Sequence, residues 1–344
     1  MFTFRHRRRN VKHRPGHCGA ARGRLPWIGF AIAAALVSAG RLAQAQAYPS
    51  RPVHLIVAQA AGGGIDTLAR LIAHKLSESL GQPVIVENKA GAGGIIGTSF
   101  VAKASADGYT LLLAPIGNMV FTQLLYSKLP FSPQRDLTPV AMVASFPLLL
   151  VVNAAQPIQT VPDLVAYMRA NPAKSNYGGS GPAFQFATEL FKIKTATSSE
   201  FIQYKSTSEV ITALITGDLL LAFADTGPAA EPVAGGRLRA LAVTSPQRLA
   251  ALPNVPTMAE LGFPDLEIQY WAGVFAPAGT PQPIVRKLEG ELQRVVGLPE
   301  VAERMKSIHV RPATSGSDDF AKIFAADLAR WTAVAKTANI KPAE

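Results

Sequence analysis

The residues Val53-His54-Leu55-Ile56-Val57-Ala58-Gln59-Ala60-Ala61-Gly62-Gly63-Gly64-Ile65-Asp66-Thr67-Leu68-Ala69-Arg70 decide the fold. Val53–Ala58 is a short apolar run and reads as a strand. Ala61–Asp66 reads as a tight glycine loop. Leu68, Ile72, Leu76 and Leu80 then recur at four-residue spacing, the apolar face of a helix that ends at Gly81. The same order follows at once: Val84–Glu87 as strand, Gly91–Gly94 as loop, Ile95–Ala104 as helix and Leu111–Ala114 as the next strand. Short apolar runs alternating with helix-period segments predict an α/β fold with a largely parallel sheet.

Farther along, capping boxes predict helix starts at Thr160 with Asp163, Ser206 with Glu209, and Thr257 with Glu260. Thr280-Pro281 starts another helix with Ile284, Leu288 and Leu292 inward. A last helix runs from about Asp318 and buries Phe320, Phe324, Leu328 and Trp331. Two long apolar segments, Phe146–Val152 and Ile268–Pro277, lie far apart in the chain and are expected to cross between two lobes. That division gives residues 48–147 plus 272–344 as the first lobe and 148–271 as the second, with a cleft between them.

The 344 residues are enough for two domains, and 48% hydrophobic with 17% charged composition is globular rather than disordered. A formal net charge of +11 suggests nucleic acid or an anionic membrane until it is located. Nine Lys/Arg and no Asp/Glu fall in residues 1–47, leaving 25 basic against 23 acidic residues elsewhere. The basic excess is a leader, so no nucleic-acid partner is expected. Arg5 to Arg24, the apolar run Trp27–Val37 and Ala45-Gln46-Ala47 before Tyr48 form the three parts of a signal peptide cleaved near Ala47. Eleven apolar residues are too few to span a bilayer, which needs about 20, so no stable membrane insertion is expected.

Cys18 lies in the leader, so an exported chain would carry no cysteine, and its size spares it the need for disulfides. Only His54, His74 and His309 would remain, without metal-ligand spacing. Neither a metal nor a cofactor is expected. Each histidine reads as a surface or packing residue.

Binding chemistry centres on the glycine loops. Gly62, Gly63 and Gly64 let a ligand approach the backbone, and unpaired N–H groups at the helix start, at Ile65 and Asp66, attract anions. Asp66 suits an anion site only as a cap, an acceptor from backbone N–H, or a partner for an amine or water. Gly91-Ala92-Gly93-Gly94 repeats the geometry but lacks the third glycine of a dinucleotide loop, since Ile96 stands there. A third loop, Tyr177-Gly178-Gly179-Ser180-Gly181-Pro182, could present Ser180 as a nucleophile with Asp225 and His309 in hydrolase order, but Pro182 breaks the G-x-S-x-G elbow. Its hydroxyl then serves a ligand or the next helix.

Nearly the whole chain from Tyr48-Pro49-Ser50-Arg51-Pro52 onward resembles the Bug-type periplasmic solute-binding proteins of tripartite tricarboxylate transporters. The resemblance is carried by Gly62–Asp66 with Ala69-Arg70, Val86-Glu87-Asn88-Lys89-Ala90-Gly91-Ala92-Gly93-Gly94, Asp107-Gly108-Tyr109-Thr110-Leu111-Leu112, Leu238–Thr244, Leu252–Thr257 and Ala276–Pro281. It implies a two-lobed, flytrap-like α/β periplasmic binding protein, each lobe a mainly parallel sheet flanked by helices. Such a protein closes on a small carboxylate and delivers it to a permease of one large and one small membrane subunit. The resemblance also implies that the loop Gly62–Asp66 faces the loop Gly178–Gly181 across the cleft, that backbone N–H groups and hydroxyls of the two, with Gly179, Ser180 and Gly181 from the second, hold the carboxylate, and that Asp225 is kept after its strand.

Where ligand choice is decided, the sequence departs from the family. Ala60 and Ala61 replace prolines, Gln185-Phe186-Ala187 replaces a His-Leu-Ala motif, and only Tyr204-Lys205 remains of a longer motif at Phe201–Ser206. Phe184, Phe186 and Phe201 either line an apolar cleft suited to an aromatic or long-chain carboxylate, or fill the core. Tyr270-Trp271 is a cleft wall or a packed pair, and Arg70 and Lys205 are donors or solvated residues. The competing functions are a secreted serine hydrolase using Ser180 and a sensor-type binding protein without transport.

Overall fold

The computed structural model describes residues 48–342; the leader and its cleavage site lie outside the described residues. Strand β1 (Val53–Val57) is followed by helix α1 (Gly64–Leu80), whose apolar face is Leu68, Ile72, Leu76 and Leu80, all buried. Gly81 ends it in the left-handed conformation (φ 66°), its N–H donating to the Ser77 carbonyl. Strand β2 (Val84–Asn88), helix α2 (Ile95–Ala102) and strand β3 (Thr110–Pro115) complete the first unit, with β1 parallel to both β2 and β3. A single π-helical turn, Gly117–Phe121, leaves the end of β3.

The chain then forms one 17-residue strand, β4 (Leu137–Asn153), followed by α3 (Val161–Ala170), β5 (Asn176–Gly179), α4 (Pro182–Thr195) and β6 (Glu200–Gln203). Next come α5 (Thr207–Thr216), β7 (Leu221–Asp225), α6 (Thr226–Ala234), β8 (Leu238–Val243) and β9 (Gln269–Pro277). The last elements are α7 (Gln282–Val296), α8 (Pro299–Ser307), β10 (Arg311–Pro312) and α9 (Ser317–Thr337). Strand β5 is parallel to β6 and β7, whereas β4 and β9 run antiparallel to every strand they pair with. The expected parallel order therefore holds in the two βα units, and the long strands between them make the sheet mixed.

Strand β4 changes partners along its length. Leu137–Pro147 pairs with β9, and Leu148–Asn153 pairs with β7 and β8. The change falls where Pro147, with no N–H to give, precedes Leu148. One buried cluster fills the space between the helices at this crossing: Phe121 stacks on Phe186 at 4.7 Å, and Trp331 meets both rings edge-on. Burial of such rings is the largest apolar contribution any side chain makes to a core.

The box at Thr160 caps α3 as expected, with Asp163 reciprocating. Ser206 caps α5, but the Glu209 carboxylate reaches back to the N–H of Lys205 instead of Ser206. Thr257 and Glu260 make the box as well (Thr257 N–H to Glu260 at 2.7 Å, Glu260 N–H to Thr257 at 3.1 Å), yet no helix follows. Gly262 at φ 84° and Pro264 stop the chain after one turn, correcting the expected helix there. Among the described residues no helix is long and apolar enough to cross a membrane.

Candidate functional site

The glycine loop before α1 is held by Asp66. Its Oδ2 accepts from the Gly62 N–H at 2.8 Å and Arg70 Nε at 3.1 Å, and its Oδ1 accepts from Asn88 Nδ2 at 3.0 Å. Asn88 also donates to the Gln59 carbonyl, and Arg70 to Asn88 Oδ1. The Arg70 guanidinium, helped by Gly62 and Asn88, holds the Asp66 carboxyl below the usual carboxylate range. Asp66 is therefore a buried brace, and Arg70 is engaged with it. Gly62 takes φ 82°, which a side chain would oppose, so the loop turns sharply and α1 starts at Gly64.

Gly64 and Ile65 form one wall of a cavity of about 520 Å³ at the strand crossing. Pro115, Ile116 and Gly117, at the end of β3, continue that wall. The facing wall is made by Ala183 and Phe184 at the start of α4, and by Asp225, Thr226 and Gly227 where β7 gives way to α6. Phe146, Pro147, Tyr270 and Trp271 of the crossing strands form the floor. Their positions are fixed: Tyr270 donates to the Ala183 carbonyl, and Trp271 Nε1 donates to Asp327 at 2.7 Å. His309 stands at the rim with φ 59°, its ring against Gly227, where a Cβ would lie 3.1 Å from the imidazole.

The first turns of three helices, α1, α4 and α6, contribute residues to the lining of this cavity. Each has first-turn N–H groups without intrahelical acceptors and the positive end of a dipole, worth roughly 0.3–1 kcal/mol to an anion and up to ~2 in a partly buried site. No lysine or arginine lines the cavity among the described residues. The carboxyl that does, Asp225, accepts from Thr207 Oγ1 at 3.3 Å and makes no capping bond to α6. Burial pushes it up, with the Thr207 bond opposing.

Of the residues singled out by sequence, Gly64, Ile65 and Asp225 are brought together on the cavity wall, while Gly62, Gly63 and Asp66 shape the loop behind it. Gly179 and Gly181 precede α4 without lining the cavity, and Gly179 is tight, since a Cβ would meet Phe184 at 3.0 Å. Ser180 Oγ lies 3.1 Å from Thr207 Oγ1, so its hydroxyl is spent in a Ser180–Thr207–Asp225 chain. Among the described residues no histidine bonds to Ser180. Phe184 lines the cavity, Phe186 is core, and Phe201 packs on Tyr177. Lys205 is exposed away from the cavity.

Sequence reasoning missed the contribution of Pro115–Gly117 and the rim position of His309. The first had a signal, a glycine directly after a strand; the second depends on a backbone conformation that no local pattern announces.

Comparison with known proteins shows the family to which this fold belongs. Residues 68–340 match the family model for the tripartite tricarboxylate transporter family receptor, TctC. BugT of Bordetella pertussis is 35% identical over 317 residues, covering 91% of this chain and 97% of that protein. An R. palustris protein whose structure holds adipate is 36% identical with a TM-score of 0.73, over 86% of this chain and all of that one. MatC from Rhodopseudomonas palustris, solved with bound malate, is 29% identical with a TM-score of 0.69, over 83% of this chain and 99% of its own. With its two-lobed α/β architecture and a cleft walled by helix N-termini, the chain belongs to the TctC family of solute-binding receptors.

Proposed function

We propose that this protein is a periplasmic receptor that captures a small carboxylate in the cleft at the strand crossing and delivers it to a permease of one large and one small membrane subunit. The observation that carries the ligand class is the convergence of the N-termini of α1, α4 and α6 on a cavity that has no cationic side chain among its described lining residues. Dipoles and backbone donors favour an anion there without an arginine clamp. Adipate and malate, held by the two relatives, support the same class.

In this reading Gly64 and Ile65 supply donors from the first lobe. Gly62, Gly63 and Asp66 fix their loop. Gly179, Ser180 and Gly181 set the start of α4, and Asp225 meets a ligand hydroxyl, an amine, a bridging water or, when protonated, the carboxylate itself. Residues 48–147 with 272–344 make the first lobe and 148–271 the second. The partner change of β4 at Pro147–Leu148 supports that boundary. Closure turns about the cluster of Phe121, Phe186, Tyr270 and Trp331, and a ligand that touches both walls stabilises the closed state.

Trp271 on the cavity floor reports binding. Titration with adipate, malate and monocarboxylates is expected to change tryptophan emission saturably for at least one acid. Emission unchanged by every acid, together with ester turnover lost in Ser180→Ala, would favour the hydrolase.

A further inference from the structure

We propose that His309 selects the ligand of the cleft, its imidazole donating to the second carboxylate of an aliphatic dicarboxylate whose first carboxylate sits at the start of α1. This role rests on the cleft being the carboxylate site proposed above. It gives that site a residue that separates diacids from monoacids of the same length.

His309 stands where the backbone favours glycine. Helix α8 ends in paired bonds, from the His309 N–H to the Lys306 carbonyl and from the Val310 N–H to the Met305 carbonyl, both at 2.9 Å. That ending puts the residue after the cap in the left-handed region, and His309 takes φ 59°. A side chain there costs free energy that glycine would not, so the turn alone does not account for a histidine. Such an outlier at a cavity rim points to a task for the side chain. Arg311 and Pro312 then pair with Ser145 and Ala144 and hold the turn against the sheet.

The ring has a place and no partner. Gly227, in the first turn of α6, leaves room for it: a Cβ there would lie 3.1 Å from Cδ2 and 3.5 Å from Cγ. The rings of His54 and His74 pair with Glu87 and Glu78, whereas that of His309 has no such partner among the described residues. His309 is exposed and is the one side chain in the described lining of the cleft that can carry a positive charge. An imidazole donates one N–H when neutral and two when charged. Gly64 and Ile65 stand on the wall facing Gly227, and the floor of Phe146, Tyr270 and Trp271 suits the methylenes of a connecting chain. A monoacid seated at α1 leaves the imidazole unpaired, and a diacid of matching length reaches it. The Asp225 carboxyl is bonded to Thr207 and burial raises its pKa, which lessens the repulsion that a second carboxylate meets on this wall. Lys341 is a competing cation. It lines an adjoining cavity of about 610 Å³ that shares Gln59 and Gly117 with the cleft, whereas His309 lines the cleft itself.

Calorimetric titration of the purified protein with butyrate, succinate, hexanoate, adipate, octanoate and suberate tests this role. At one chain length the diacid is expected to bind about tenfold more tightly than the monoacid. His309→Gly is expected to abolish that preference by weakening the diacid. Glycine suits the backbone at this position, so the loss does not come from misfolding. Lys341→Ala is expected to keep the preference. Diacids that bind no more tightly than their monoacids overturn the role of His309 and leave the carboxylate cleft standing. So does a preference that survives in His309→Gly, or one that Lys341→Ala removes, which would hand the second carboxylate to the adjoining cavity. Binding of none of the acids overturns the role together with the carboxylate site it refines.

Discussion

The hydroxyl of Thr244 accepts a hydrogen bond from the N–H of Leu148 at 2.9 Å, at the residue where β4 changes partners. The same hydroxyl donates to the carbonyl of Ile268 at 2.7 Å, at the entry to β9, and Thr244 has no exposed surface. One side chain thus joins β4 to the entry of β9. Thr244→Val keeps the shape and leaves both backbone groups buried without partners. It is expected to lose about 2 kcal/mol of stability, visible as a midpoint several degrees lower in thermal unfolding. An unchanged midpoint would show that the crossing does not depend on this hydroxyl.

Asp66 sends its carboxylate to Gly62, Arg70 and Asn88 and away from the cavity. Asp66→Ala is expected to lower stability by about 1–3 kcal/mol and to weaken ligand binding at least tenfold, because the loop that presents Gly64 and Ile65 loosens. Chemical denaturation and calorimetry measure the two effects on one sample. Full affinity in a destabilised variant would sever the loop from the site.

The acid side of the stability profile carries a matching signature. The folded-state pKa of Asp66 lies below its unfolded value, so its contribution is complete above the unfolded pKa of about 4 and lost as pH falls through the folded one. Asp66→Asn removes that titration, and the fall in stability below about pH 4 becomes shallower than in the parent. Parallel profiles would assign the acid limb to other carboxylates.

Asp225 works in the opposite direction. Burial raises its pKa in the empty protein, and an anion held beside it at the start of α6 raises it further. Capture of a carboxylate beside it is therefore expected to take up a proton, and affinity to rise as pH falls through the raised pKa of Asp225. Asp225→Asn keeps the bond from Thr207 and flattens this dependence. A steeper dependence, or an affinity that rises with pH, would refute the coupling.

Phe184 and Phe186 separate the cleft from the core. Phe186→Ala removes a buried ring stacked on Phe121 and is expected to cost about 3–5 kcal/mol. Phe184→Ala, on the cavity wall, is expected to change the ranking of ligands by size with a smaller loss of stability. Equal destabilisation by the two, with the ranking unchanged, would place Phe184 in the core as well.

These positions also show what the sequence makes legible. β1, the glycine loop and α1 are written locally, in an apolar run, three glycines and a four-residue spacing that ends at Gly81. The box at Thr160 works because nothing interrupts the helix after it, whereas Gly262 and Pro264 undo the same signal at Thr257. The sequence shows only part of β4, because its length comes from pairing with β9 more than a hundred residues away. Asp66 looks like a ligand residue beside three glycines until Asn88, from the next strand, takes one of its oxygens. His309 reaches the rim through a left-handed turn that leaves no pattern in the chain.

The most direct measurement is thermal unfolding of the purified protein against a panel of mono-, di- and tricarboxylates, amino acids and aromatic acids. A ligand at 100 times its dissociation constant adds about 2.7 kcal/mol, which raises the midpoint of a chain of this size by roughly 5 °C. The expected result is a shift of that order confined to carboxylates of one chemical group and cut to about half or less in Asp66→Ala at the same ligand concentration. A shift produced only by uncharged or cationic solutes would contradict an anion site built from the N-termini of α1, α4 and α6.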